Sequence, residues 1–254
     1  MCGRYVMARA IGDLVADAEA EADDALELRR SWNVAPTTDV PVVLERLIDD
    51  EVVRQVHVAK WGLVPIWAKD PSVGVRAFNA RSETVLEKPT FRSAIKARRC
   101  AIPAEGYYEW KKAGTGKAGT KRPFFVHPQD DSMIYFAGIY EWWKDPSKAE
   151  DDDERWLLSC SILTMASPEA TGESEVLDAL HGLHDRLPIP LDRESMAEWL
   201  NPGDKEAGPL VEQVRAEAYA VAGQWSLREV ASAVGNVRND GPELTEPLTE
   251  LLTE

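Results

Sequence analysis

Cysteine at position 2, in the opening Met1-Cys2-Gly3-Arg4-Tyr5, has the most distinctive chemistry open to any residue of the chain. Its side chain is small enough for the initiator methionine to be trimmed, which leaves a free α-amine and a thiol on adjacent carbons. The amine titrates at about pH 8 and the thiol at about 8.5, so both supply nucleophile at neutral pH. Together they carry an aldehyde through a Schiff base into a closed thiazolidine, a product neither group makes alone. A Cys2 used in this way implies an aldehyde or another carbonyl as substrate. Position alone does not distinguish it from a cysteine without a role, so the rest of the chain has to decide.

Other segments gather groups of the right kinds. Trp32-Asn33-Val34-Ala35-Pro36 and Trp61-Gly62-Leu63-Val64-Pro65-Ile66-Trp67 set aromatics beside prolines, as loops do. Phe78-Asn79-Ala80-Arg81-Ser82-Glu83-Thr84 brings an amide, a guanidinium and a carboxylate within a few positions. Ala104-Glu105-Gly106-Tyr107-Tyr108-Glu109-Trp110 closes a strand-like run on a carboxylate between aromatics. Leu183-His184-Asp185-Arg186-Leu187-Pro188 sets a histidine beside an acid where a helical pattern gives way to a strand. Taken singly, each such group is more simply a satisfied structural one. The glycine-rich stretch 114–120 misses the phosphate-loop spacing and precedes a strand, which makes it a hairpin loop. His181 and His184 lack a third ligand, so no metal site is expected. There is no Gly-x-Ser-x-Gly elbow for a serine hydrolase.

The elements that must position these groups follow from periodicity. Ile11, Leu14, Val15 and Ala18 among acids predict an amphipathic helix over 11–30. Runs at 41–47 and 52–61 read as a strand pair across Asp49-Asp50. Thr90 is a candidate cap for a helix reaching Arg98. Strands are expected at 99–110, 123–127, 133–142 and 156–165, and helices at 168–180, 193–200 and 209–218. Many strands with helices at the periphery make a single α+β domain on antiparallel sheet, with no repeat and no linker long enough to divide it.

The chain has 254 residues, room for a full core, and no apolar run near the ~20 residues that cross a membrane. With no apolar signal core at its start, a soluble cytoplasmic protein is expected. Three cysteines are too few for a disulfide framework, and Cys100 and Cys160 sit in apolar runs as core thiols. A net charge of −15 argues against a nucleic-acid partner until its distribution is read. From Arg76 to Arg122 twelve basic residues face four acidic ones, a balance of +8 inside an otherwise acidic shell. Such a shell suits high salt, where phosphate contacts are screened and DNA binding leans on stacking, shape or covalent capture.

Together with Cys2, these segments resemble the SRAP family of abasic-site processing proteins. The match rests on Met1-Cys2-Gly3-Arg4-Tyr5, Asn33-Val34-Ala35-Pro36, Trp61-Gly62, Asn79-Ala80-Arg81-Ser82-Glu83-Thr84, Glu109-Trp110, His184-Asp185-Arg186 and Ala233-Val234-Gly235-Asn236-Val237. They stand in the family's order over residues 2 to about 240, with an acidic tail beyond. The resemblance implies a barrel-like, largely antiparallel sheet with peripheral helices, and capture of abasic sites in single-stranded DNA through Cys2. It implies Glu109 as the proton donor that opens the sugar, Asn79 as a holder of the sugar oxygen or the Cys2 amine, and His184 as proton shuttle. Arg4, Asn33, Trp67 and Arg81 become the DNA-binding candidates, the guanidiniums on phosphate and Trp67 on a base. Arg92, Lys96, Arg98 and Arg99 extend the basic track on charge alone. No cofactor is implied, and a monomer is expected. Where some relatives carry a second tryptophan after the one matching Trp67, this chain has Ala68. Two other readings stay open, an N-terminal-cysteine peptidase acting on amide bonds and a non-covalent single-stranded DNA-binding module.

Overall fold

Most of the apolar runs become strands, and these strands pair into two sheets. In chain order they are β1 (Tyr5–Met7), β2 (Ser31–Val34), β3 (Asp39–Ile48), β4 (Glu51–Trp61), β5 (Asn79–Arg81), β6 (Arg99–Ala104), β7 (Gly106–Ala113), β8 (Thr120–Pro128), β9 (Ile134–Lys144), β10 (Trp156–Ala166), β11 (Arg186–Pro188), β12 (Pro190–Leu191) and β13 (Trp225–Glu229). The helices are α1 (Ile11–Ala18), α2 (Ala94–Ala97), α3 (Glu175–Leu183), α4 (Arg193–Leu200) and α5 (Ala207–Ala222). This computed structural model describes residues 2–113 and 120–248, so most of the expected 114–120 loop and the end of the acidic tail lie outside the described residues.

The strands β10, β4, β3, β6 and β9 pair in that order, and β9 returns to β10, closing a five-stranded barrel. Every pairing in it is antiparallel except β4 with β10. The long β3–β4 hairpin runs in register from Asp39 opposite Lys60 to Ile48 opposite Glu51. Its turn residues Asp49 and Asp50 both take positive φ, 50° and 66°. Aspartate tolerates that region better than most residues, which is why the acidic pair works as a hairpin turn. The second sheet, ordered β13-β8-β7-β1-β2, is antiparallel throughout. The architecture is therefore the expected α+β domain on a largely antiparallel, barrel-like sheet.

The run 99–110 reads as one strand but is two, one in each sheet. The corner is at Glu105, whose N–H donates to the Val6 carbonyl (2.8 Å) and whose carboxylate accepts the Ala8 N–H (2.5 Å). Gly106 follows because a Cβ there would stand 2.5 Å from the Phe125 ring. Periodicity cannot reveal such a corner, since both halves are apolar.

Other boundaries moved for local reasons. The helix expected over 11–30 stops at Ala18, where Glu19 takes the left-handed conformation. Beyond it acids recur, Glu19 and Asp23 falling at like-charge i,i+4 spacing, and Glu21 instead bridges to Gln55 of β4. The helix expected at 168–180 begins at Glu175, after Ser174 accepts the Leu177 N–H and Gly172 turns with φ 77°. The helix near Thr90 shrinks to Ala94–Ala97, and Ser93 rather than Thr90 precedes it. Trp32-Asn33-Val34, expected in a loop, forms β2, and β13 was not anticipated.

The barrel interior is close-packed around fully buried Trp61, whose ring meets Tyr5 edge-on at 5.1 Å and Phe78 at 5.9 Å. Its indole N–H donates to the Phe78 carbonyl at 2.8 Å, so the largest core side chain also ties the 62–78 loop to the barrel. Cys100 and Cys160 are buried core thiols, as expected.

Candidate functional site

The end of β10 assembles two of the motif segments. Its Ile162, Leu163 and Thr164 pair in parallel with Asn79, Ala80 and Arg81 of β5. On its other side Thr164 and Ala166 pair with Pro188 and Arg186 of β11. One strand thus brings 79–83 and 184–186 side by side. A bidentate ion pair then locks them: Arg186 donates to both Glu83 carboxylate oxygens, at 2.7 and 2.9 Å. Arg186 also donates to the Thr164 carbonyl (2.7 Å), so the guanidinium spans three chain segments. The hydrogen bonding from Arg186, with its charge a lesser contribution, holds the Glu83 carboxyl below the usual range. Glu83 and Arg186 belong to the motifs but had no role from sequence; their pairing supplies one.

Cys2 enters from the second sheet. β1 lies between β2 and β7, with Tyr5 opposite Tyr107 and Val6 opposite Gly106. Cys2 is fully buried, and its carbonyl accepts the Asn79 side-chain N–H at 2.7 Å. Asn79 Oδ1 is buried and accepts no hydrogen bond among the described residues. Asn79 therefore grips Cys2 by its carbonyl, a contact sequence reasoning did not specify. Burial first, and the charge of Glu109 second, push the Cys2 thiol well up. The thiol is thus neutral at pH 7, not the partial thiolate that an exposed cysteine would be.

Glu109 is 5% exposed, and its Oε1 accepts the Trp110 N–H at 3.1 Å. Strand alternation corrects the environment suggested by its flanking residues. Tyr108 packs with Phe125 and Val234 on the far face of β7, and Trp110 packs against the same cluster. Tyr107, two residues back on the Glu109 face, belongs to the cluster that contains Cys2. Burial and then the nearby Cys2 and Glu109 raise the Tyr107 hydroxyl, a mark of how closely the three sit.

His184 follows the last turn of α3. Its Nδ1 accepts the Arg186 N–H at 2.9 Å and lies 2.7 Å from the Asp185 carboxylate. In the neutral ring, accepting that N–H leaves the proton on Nε2; protonation turns Nδ1 into a donor toward Asp185. Two contacts on one nitrogen therefore serve the two charge states. His184 and Glu109 line one cavity of about 420 Å³ with Arg4, Trp110, Lys112 and Lys121. A second cavity of about 580 Å³ shares Trp110, Lys112 and His184 and reaches His181 and Ser167.

The four DNA-binding candidates divide into two kinds. Arg4 donates to Asn33 Oδ1 and to the Val234 carbonyl, both at 2.8 Å, and lies over the Trp110 ring. Asn33 is buried, and its amide N–H groups face the carbonyls of Val234, Asn236 and Asn239. Asn33 thus ties β2 to the 233–239 segment, and its amide is occupied inside the protein. Trp67 is 59% exposed beside equally exposed Ile66, with its indole N–H on the Pro89 carbonyl, so it lies on the surface and not in the core. Arg81 is exposed at the end of β5 and makes no ion pair among the described residues.

The basic track needs correction at two positions. Arg98 is paired with buried Glu141, and Arg99 is 3% exposed, donating to the carbonyls of Trp199, Asn201 and Asp204. Neither is available to a polyanion. Of the basic run, Lys112 and Lys121 line the cavity beside Arg4 and were only part of a charge count; their signal was a lysine pair on either side of a hairpin loop. Among the described residues no group of three or more His, Cys, Asp or Glu is placed to hold a metal ion, and no helix is long and apolar enough to cross a membrane.

Comparison with known proteins gives the chain's family. The family described as SOS response associated peptidase (SRAP) matches residues 1–237. Abasic site processing protein YoqW of Bacillus subtilis is 33% identical over 97% of this chain and 99% of its own length. Abasic site processing protein YedK of Escherichia coli is 31% identical, over 98% of this chain and all of its own. Abasic site processing protein HMCES of Gallus gallus is 29% identical over 87% of this chain and 67% of its own. Among solved structures, a Bacteroides thetaiotaomicron protein superposes with a TM-score of 0.74 at 21% identity, covering 98% of this chain and 100% of that one. A phage-related protein of Bordetella bronchiseptica superposes with a TM-score of 0.64 at 25% identity, covering 91% and 95%.

Proposed function

The chain belongs to the SOS response associated peptidase (SRAP) family, and from that premise we propose that it processes abasic sites in single-stranded DNA by covalent capture on Cys2. The relatives YoqW, YedK and HMCES carry abasic site processing in their names. The observation that carries the reading is the approach of four chemically distinct groups: Cys2 held by Asn79, Glu109 near enough to raise the Cys2 thiol, and His184 on the same cavity as Glu109.

An abasic deoxyribose is mostly a closed hemiacetal. Glu109 gives its proton to the ring oxygen while the anomeric hydroxyl loses one, and the ring opens to the C1′ aldehyde. His184 takes that proton, and the resulting imidazolium carries N–H on both ring nitrogens, with Nδ1 turned from the Arg186 N–H toward the Asp185 carboxylate. With Met1 removed, the Cys2 amine attacks C1′, and the carbinolamine expels water to give a Schiff base. The neutral thiol then adds across the C=N bond: sulfur bonds C1′ and the thiol proton passes to nitrogen, closing the thiazolidine. One water is lost overall. Asn79 Oδ1 is the acceptor that orients the amine or a sugar hydroxyl during these steps.

The test is intact mass spectrometry after mixing the protein with a single-stranded oligonucleotide holding one abasic site, beside Cys2→Ala. The expected adduct weighs protein plus DNA minus one water and is absent from the variant. No adduct at either low or high salt would overturn the reading. Peptide cleavage by Cys2 in the absence of DNA would favour a peptidase instead.

A further inference from the structure

The hairpin β7–β8 opposes like charges in consecutive registers: Lys111 faces Arg122, and Lys112 faces Lys121. Like charges directly opposite on paired strands destabilise the pairing. The chain has 44 acidic residues with which to neutralise 29 basic ones, and it does so at Arg122, which Glu229 pairs. Lys112 and Lys121 are exposed and make no ion pair with any described carboxylate. Both line the cavity that holds Glu109 and His184. An unrelieved repulsion, kept in an acidic protein at the mouth of its reactive cavity, implies an anion that relieves it.

We propose that Lys112 and Lys121 form a phosphate clamp that grips one backbone phosphodiester of the DNA strand beside the lesion. Directly opposed residues on antiparallel strands have Cα atoms about 4.5–5.5 Å apart, so two ammonium groups on lysine stems converge on a single phosphate. Trp110, on the same face of β7 two residues earlier, also lines the cavity, and its ring already carries Arg4. The clamp thus lines the same cavity as Glu109, three residues further along β7, and fixing that phosphate sets where C1′ stands relative to Cys2. The inference rests on the DNA reading above and adds to it where the backbone is held.

The test is non-covalent binding, read by fluorescence anisotropy, of a labelled single strand carrying a tetrahydrofuran abasic analogue that cannot open. Wild type, Lys112→Ala/Lys121→Ala and Lys112→Arg/Lys121→Arg are compared across a salt series. The alanine pair is expected to bind roughly tenfold more weakly at low salt, with a log K against log salt slope shallower by about 0.7, as loss of one phosphate contact gives. The arginine pair keeps the wild-type slope. Because the alanine pair removes a repulsion, its melting temperature should be equal or higher, which a merely structural role would not give. An unchanged salt slope in the alanine pair would overturn the clamp even if the aldehyde adduct forms. A changed slope without any adduct from the natural abasic strand would sink covalent capture and leave the clamp standing. No binding by wild type at any salt would overturn both.

Discussion

Breaking the Glu83–Arg186 pair should loosen the two halves of the site together. Arg186 is 12% exposed and Glu83 36%, with two N–H···O contacts of 2.7 and 2.9 Å. A hydrogen bond to a charged partner contributes about 1.5–3 kcal/mol when buried, and exposed ion pairs about 0.2–1 kcal/mol. With one partner a third exposed, solvent screening leaves a coupling of about 1–2 kcal/mol for the bidentate pair. A double-mutant cycle of Glu83→Ala and Arg186→Ala, followed by urea unfolding, isolates this term from the separate Arg186 contact with Thr164. Since the backbone N–H of Arg186 itself sets the His184 tautomer, Glu83→Ala should also slow aldehyde capture, by roughly tenfold if about 1.4 kcal/mol of positioning is lost. The pH sign follows from the lowered Glu83 carboxyl. Its stabilisation is fully present above the ordinary glutamate value of about 4.3 and is lost as pH falls through the lower folded-state value. The wild-type advantage over Glu83→Ala should therefore be flat above about pH 5 and shrink in acid. A coupling below about 0.3 kcal/mol, within ordinary additivity error, would refute the strut.

Four further perturbations test other parts of the molecule. Gly62 has φ +146°, and a Cβ there would stand 2.6 Å from the Gly74 carbonyl oxygen, so Gly62→Ala should cost at least about 2 kcal/mol in urea unfolding. Gly12 lies inside α1 with nothing within 4 Å of a new Cβ, so Gly12→Ala should stabilise by about 0.5–1 kcal/mol in the same assay. Trp67→Ala should leave the melting temperature nearly unchanged while weakening single-strand binding by about 1–3 kcal/mol, measured by anisotropy. Glu109→Gln removes the second cause of the raised Cys2 thiol, so the pH midpoint for its alkylation should move down but stay above that of an exposed cysteine. The same variant should lower the capture rate by about 10²–10⁴.

Much of the barrel was legible because its strands alternate or run apolar over lengths that periodicity resolves, as in β3, β4, β9 and β10. The short strands β1 and β5 were not, since three residues carry no period, and β11 was legible only as the point where a helical pattern gives way to a strand; all three pair along β7 or β10. The site followed the same division. Cys2, Asn79, Glu109 and His184 were readable as residue types in motifs, whereas Tyr107, Lys112 and Lys121 depend on which face of a strand a residue occupies and what lies across from it. Arg99 was misread for the complementary reason. A guanidinium in a basic run looks solvent-facing, yet here its donors satisfy the carbonyl groups around the end of α4, a demand visible only once α4 is packed.

Net charge therefore says little about where a polyanion is met. Of the basic run, Arg98, Arg99 and Arg122 are engaged by the protein's own acceptors, which takes them out of any external track. Arg76, Arg81, Lys88, Arg92, Lys96 and Lys111 stay exposed along the run, and Lys112 and Lys121 are the exposed pair that stands at the reactive cavity. The carboxylates elsewhere repel a strand that strays from this path, and that repulsion decays over about 10 Å at 0.1 M salt. Rising salt thus weakens both the attraction at the clamp and the repulsion from the shell. Contact phosphates feel the first over a few ångströms and distant ones feel the second, so the shell narrows the path without cancelling the grip. An acidic protein can then hold a nucleic acid, provided the cations it leaves unpaired sit within contact distance of one short stretch of backbone.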